Sequence, residues 1–364
     1  MTEPIFNATL LPARWRRPAL AFTLSLLTCL GSESLARAET SANVAGPANA
    51  VLARLEERKA ALARAGAAVV GVEVRAVEDA RSIATLGRVR EGSGVVIGKD
   101  GLVLTIGYLI LEADHVDIVE SNGRHLPARV VAYDLASGFG LLQALAPLSL
   151  EPVPLGVSAA VKGDEPLMIA SGGGEGDLSL ARMVSRRAFS GFWEYHIDGA
   201  LFTAPARTDH SGAGLFNADG ELIGIGSLVV ADAAGTAAPA VRGNMFVPVD
   251  LLKPILAEMR SAGASRASTR PWLGLNCVEY GGQVRVIRLT AAGPAEEAGL
   301  EPGDVITAVD GTEVGDLASF YKTLWRDARA EREVALEVKR GAESMRLTVR
   351  AVDRMKTLSR PQGV

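Results

Sequence analysis

Residues Thr208 to Gly226 read TDHSGAGLFNADGELIGIG. Ser211 sits among small residues, and Asn217-Ala218-Asp219-Gly220 is a turn signal between two apolar runs. The stretch therefore presents a serine on a loop that leads into strand, turn and strand. A serine hydroxyl is a weak nucleophile until a base takes its proton. Two questions follow: what fold surrounds the loop, and whether the chain supplies the base.

Working outward, the chain from residue 67 breaks into short β-rich runs, among them AAVVGVEVRAV, GSGVVIG, GLVLTIG, HVDIVES and RHLPARVVAYD. Turn signals such as Lys99-Asp100-Gly101 and Ser121-Asn122-Gly123 separate them. Short strands at this spacing indicate an all-β sandwich or barrel. The pattern runs on through GELIGIGSLVV to NMFVPV. A helix is then predicted over DLLKPILAEMRSAG, with Asp250 at its start. Residues 261–271, SAGASRASTRP, read as a linker.

A second unit spans 272–353. It reads as two strands, a short helix at AAGPAEEAGL, a strand in PGDVITAVDG, a helix over DLASFYKTLWRDA, and the paired strands EVALEVKRG and ESMRLTVRAV. Residues 354–364 form a tail.

The 364 residues are 48% hydrophobic, 22% charged and only 5% aromatic, with 39 glycines. That composition suits a turn-rich globular protein and excludes a multi-span membrane protein. A formal charge of −4 gives no reason to expect nucleic acid as a partner. At the N-terminus, basic Arg14, Arg16 and Arg17 precede the apolar run ALAFTLSLLTCLG, and Ala36 and Ala38 offer a cleavage site. This is the pattern of a secretory signal over 1–38. The alternative is an uncleaved anchor in the inner membrane, although the run is short of the roughly 20 residues that a spanning helix needs. Export leaves Cys277 as the one cysteine, which allows no internal disulfide and suits a small core residue. Residues 39–66 form a lead and then a helix, with Asn49 as its cap and an apolar stripe at Val51, Leu55 and Leu62 that packs on the body, self-association being the alternative.

Several motifs in order carry a resemblance. GSGVVIGKDGLVLT, DHSGAGLFNADGELIGIG and NMFVPVDLLKPIL resemble the trypsin-like domain of HtrA/Deg-type (DegP-like) serine proteases. WLGL, AGLEPGDVITAVDGTEV and VALEVKRG are similar to that family's PDZ domain. The resemblance covers about residues 67–353. It implies a mainly β fold, a chymotrypsin-like double β-barrel over 67–260 followed by an α+β PDZ domain over 272–353, preceded by a signal peptide and a short helix.

Carried over residue by residue, the resemblance puts Ser211 at the nucleophile position. The family's histidine segment matches TIGYLI, so Tyr108 stands where the base would be. The aspartate segment matches SGFGLL, which puts Gly138 at the orienting position. A phenol titrates near 10 and imidazole near 6.5, so Tyr108 is protonated at neutral pH. Glycine has no side chain to orient a base. Asp209 replaces a glycine at the oxyanion hole formed by the amides of residues 209 and 211, and a carboxylate there opposes the developing charge. Among the four histidines, His210 adjoins Ser211, His196 lies on a nearby loop, and His115 and His125 fall in the first barrel. No metal-ligand pattern and no cofactor is expected.

The PDZ-like unit carries a more intact signal. The resemblance implies that the amides of Leu273, Gly274 and Leu275 receive a peptide's terminal carboxylate. Leu317, Phe320 and Leu324 share a helix face that either walls the groove or is plain core. Gly303 and Asp304 read as turn determinants. The expected partners are C-terminal peptides or unfolded envelope proteins, with an active HtrA relative or a second copy of the chain also open. The expectation is a periplasmic peptide-binding pseudoprotease, chaperone or regulator in protein quality control. An active serine endopeptidase and a non-catalytic scaffold remain the alternatives.

Overall fold

The computed structural model describes residues 45–163, 165–173, 176–235 and 239–359. The expected signal segment and residues 360–364 of the tail lie outside them. The helix α1 runs Ala45–Ala67. Asn49 therefore lies inside it and does not cap it. Leu62 and Ala65 pack on the barrel core, and Arg58 bonds Asp219 at 3.1 Å. Val51, Leu52 and Leu55 stay exposed, so the apolar stripe covers the body only in its second half.

The first barrel closes from β1 (Val69–Ala76), β2 (Val89–Val96), β3 (Leu102–Ile106), β4 (Ala113–Val119), β5 (His125–Tyr133) and β6 (Phe139–Ala144), in the order β1-β2-β3-β6-β5-β4. The short helices α2 (Ile83–Leu86) and α3 (Gly107–Ile110) lie between its strands. The second barrel closes from β7 (Pro166–Ala170), β8 (Leu178–Gly191), β9 (Tyr195–Ala204), β10 (Gly214–Phe216), β11 (Leu222–Val230) and β12 (Gly243–Pro248), in the order β10-β11-β12-β9-β8-β7. Closure leaves no unpaired edge. The apolar run of β3 is buried at every residue.

The helix expected from Asp250 breaks up. A 3-10 turn spans Val249–Leu251, and α4 covers only Leu256–Ala262. Pro254 lacks an N–H and pushes its predecessor out of helical conformation, which delays the start. Asp250 instead accepts from the Ala159 amide at 2.8 Å.

The C-terminal unit comprises β13 (Pro271–Trp272), β14 (Leu275–Tyr280), β15 (Gln283–Leu289), α5 (Pro294–Glu297), β16 (Val305–Val309), β17 (Thr312–Glu313), α6 (Leu317–Leu324), β18 (Glu333–Arg340), β19 (Glu343–Arg350) and β20 (Val352–Asp353). Its main sheet is ordered β14-β15-β16-β18-β19, so β14 is an edge strand. A capping box of Asp316 and Ser319 starts α6. Asp304 accepts from the Glu301 amide and from Arg340, which supports its reading as a turn determinant beside Gly303.

The segment read as a linker is fastened to the first barrel. Asp134, fully buried, accepts from Ser137 N and Oγ, from Ser265 N at 2.9 Å and from Ser268 Oγ at 2.6 Å. Burial opposes its charge, but the serine hydrogen bonds outweigh burial and hold the carboxyl below the usual aspartate range. A depressed pKa gives stability that is present above the unfolded value and lost as pH falls through the folded one. Asp134→Ala should therefore cost about 3 kcal/mol in denaturant unfolding near neutral pH. That difference from wild type should shrink below about pH 4.

Candidate functional site

Ser211 follows β9 on a loop whose backbone is tied to the first barrel, its carbonyl accepting from Ser93 N at 2.8 Å. Tyr108 projects from α3 in that barrel. Its hydroxyl oxygen lies 2.8 Å from Ser211 Oγ and 2.9 Å from the Ser227 carbonyl oxygen. A carbonyl can only accept, so the single phenol proton satisfies Ser227 and the phenol oxygen accepts from Ser211. Desolvation, partly offset by the bond to Ser211, pushes the Tyr108 hydroxyl up to about 12. The pair expected from the sequence is thus brought together, and it is a pair of neutral hydroxyls.

Gly138 lies beside the same helix, its carbonyl accepting from Gly107 N at 2.7 Å. Its φ is +82°, and a Cβ added there would stand 2.9 Å from the Tyr195 hydroxyl oxygen. Tyr195 donates to the Ser137 carbonyl at 2.6 Å. The space that a side chain at 138 would need is therefore filled by a tyrosine from the second barrel.

Asp209 behaves differently from its sequence reading. Its carboxylate accepts from Arg207 Nε at 2.9 Å, pairs again with Arg207 Nη2, and accepts from Ser171 Oγ at 2.5 Å. Burial works against the charge, but Arg207 and Ser171 prevail and hold the carboxyl low. The expected repulsion at the oxyanion hole is answered by an adjacent guanidinium. The histidines point elsewhere. His210 Nδ1 faces the Thr208 carbonyl at 3.0 Å, and His196 sits between Ser190 at 2.8 Å and Asp198 at 3.4 Å. His115 pairs with Asp117, and His125 with Glu73.

The amides of Leu273, Gly274 and Leu275 converge as expected, with Gly274 at φ +79°. They are occupied. Glu194, at the tip of the β8–β9 hairpin, accepts from Leu273 N at 3.1 Å, Gly274 N at 2.7 Å and Leu275 N at 2.9 Å. One residue pair further along the edge strand, Cys277 N donates to the Phe192 carbonyl at 2.9 Å. Tyr321 of α6 donates to the Gly191 carbonyl at 2.8 Å and accepts from Glu194 N at 3.2 Å. The amides are therefore not open to a terminal carboxylate in this state, because an internal carboxylate holds them. Glu194 is only 3% exposed, and burial raises its carboxyl above the usual range despite the three amides. Leu317, Phe320 and Leu324 are buried in the unit's own core.

Sequence reading missed Glu194. The available signal was FWEY, three aromatic residues around one acid at a hairpin turn, which is an unusual place for large apolar surface. A cavity of about 650 Å³ opens beside this junction. Tyr108, His210 and Ser227 line it from the barrels, Phe192 and Trp193 from the hairpin, and Trp272, Leu275 and Arg288 from the C-terminal unit. Tyr108 faces the cavity and Ser211 does not.

Residues 92–225 match the family described as a trypsin-like peptidase domain, and residues 271–351 match the PDZ domain family. The chain is 27% identical over 266 residues to the "Probable periplasmic serine endoprotease DegP-like" of Hahella chejuensis, covering 69% of this chain and 55% of that protein. It is also 27% identical over 244 residues to the periplasmic serine endoprotease DegP of Escherichia coli strain K12, covering 63% and 50%. The chain spans about half the length of the curated relatives it matches. In fold it is similar to the HtrA-type protease AlgW with tripeptide, at a TM-score of 0.51 and 22% identity over 81% of this chain and 96% of that one.

Any side chain at position 138 meets both the left-handed backbone and Tyr195. Gly138→Ala should cost about 1–2 kcal/mol in thermal unfolding. Combining it with Tyr195→Ala should give less than the sum of the two single losses, since the two residues touch.

Proposed function

The chain belongs to the HtrA/DegP-type family, with a trypsin-like domain followed by a PDZ domain, and on that premise we propose that it is a non-hydrolytic member that binds peptides or unfolded proteins of the cell envelope. The observation that carries the reading is the 2.8 Å contact between the Tyr108 and Ser211 hydroxyl oxygens. A general base must be able to take a proton at working pH. A phenol at about 12 is ionised in only about one molecule in 10⁵ at pH 7. Tyr108 therefore satisfies the Ser211 hydroxyl without activating it. Gly138 supplies no carboxylate, and Tyr195 fills the space one would occupy. Loss of members of a catalytic triad lowers the rate by roughly 10⁴ to 10⁶.

The envelope assignment rests on the export-signal pattern at the N-terminus and on relatives whose names call them periplasmic. Peptide binding rests on the edge strand β14 and on three amides that converge on the Glu194 carboxylate. A role in protein quality control follows from both. The competing reading, an active endopeptidase, draws on the relatives' names and on the retained Ser211.

Purified residues 39–364 should neither hydrolyse casein nor react with a fluorophosphonate probe, which labels activated serines. Labelling should stay absent from pH 6 to 9, because the phenol stays almost wholly protonated in that range. Casein hydrolysis lost on Ser211→Ala would establish the endopeptidase reading instead.

A further inference from the structure

The tip of the β8–β9 hairpin meets the sheet edge at two points, one backbone hydrogen bond and one carboxylate, as the end of an extended peptide does. Such a ligand pairs its backbone with the edge strand and places its terminal carboxylate in a nest of amides. Here the Phe192 carbonyl takes the Cys277 amide, and two residues on the Glu194 carboxylate takes the amides of Leu273, Gly274 and Leu275. Tyr321 closes the other side, bridging the Gly191 carbonyl and the Glu194 amide. Glu194 holds φ +57°, a left-handed conformation that is costly for a side chain with a Cβ. The chain thus turns sharply where a peptide would end, and a side-chain carboxylate stands in for the terminal one.

We propose that Phe192–Glu194 is a built-in ligand of the groove between β14 and α6, and that a peptide ending in a free carboxylate binds by displacing it. This rests on the peptide-binding reading above, and it adds that the free chain is closed.

The test uses residues 39–364 and two fluorescein-labelled octapeptides ending in Phe-Trp-Leu, one a free acid and one an amide. Glu194→Gly removes the carboxylate and suits the left-handed backbone, and its folding is checked by circular dichroism; Glu194→Gln keeps one acceptor and loses the charge. We expect Glu194→Gly to bind the free-acid peptide about 10-fold more tightly than wild type, as removal of a competing closed state predicts. Glu194→Gln should fall between, and the amide should gain little. In hydrogen exchange, the amides of Leu273, Gly274 and Leu275 should lose protection in Glu194→Gly and regain it with the free-acid peptide. Equal affinities in wild type and Glu194→Gly would overturn the built-in ligand and leave peptide binding standing. No preference for free acid over amide in any variant would overturn both.

Discussion

A carboxylate buried against three amides organises this molecule. An ionised group taken out of water loses several kcal/mol of solvation unless hydrogen bonds replace it. Glu194 offsets part of that cost with amides from Leu273, Gly274 and Leu275. The Arg270 guanidinium lies nearby, donating to the Leu135 carbonyl at 3.1 Å and the Glu194 carbonyl at 3.4 Å while stacking on Trp325 at 3.6 Å. Around this centre, Trp325 also stacks on Tyr321 at 5.0 Å, and Lys322 pairs with Asp198 at 3.0 Å. Asp134 gathers the intervening segment from the other side. The second barrel and the PDZ domain are thereby held through a polar junction, and not only through apolar contact.

Much of the fold was legible because its signals are local. Turn chemistry and β-rich runs marked the strands, and Asp316 marked the start of α6. The pairing of Tyr108 with Ser211 was legible only through the family resemblance, which put one at the base position and the other at the nucleophile position. What escaped was non-local. Glu194 meets its partners about eighty positions away, and nothing near FWEY announces a nest of amides. The serines of 261–271 looked like those of a flexible connector. They are there as donors to Asp134, a residue far upstream. Asp209 looked like an obstacle because its charge was visible in the sequence, while the geometry that joins it to Arg207 and Ser171 was not.

The pairing of Tyr108 with Ser211 also has a structural reading. Two hydroxyls and the Ser227 carbonyl satisfy one another beside a largely apolar cavity that Tyr108 and Ser227 line. Unpaired polar groups there would be costly to bury. The arrangement stabilises the loop after β9 whether or not any chemistry occurs at Ser211.

Consecutive residues serve two different parts of the molecule: Glu194 is lodged in the PDZ domain, and Tyr195 is lodged beside Gly138. Their Cα atoms are about 3.8 Å apart, and the peptide unit between them is rigid. The joint therefore has no slack. A one-residue insertion or deletion here would misplace both side chains at once, whereas the long arms of the hairpin could absorb a bulge. Over the history of such a sequence, this is where length should be frozen even while residue identities around it drift.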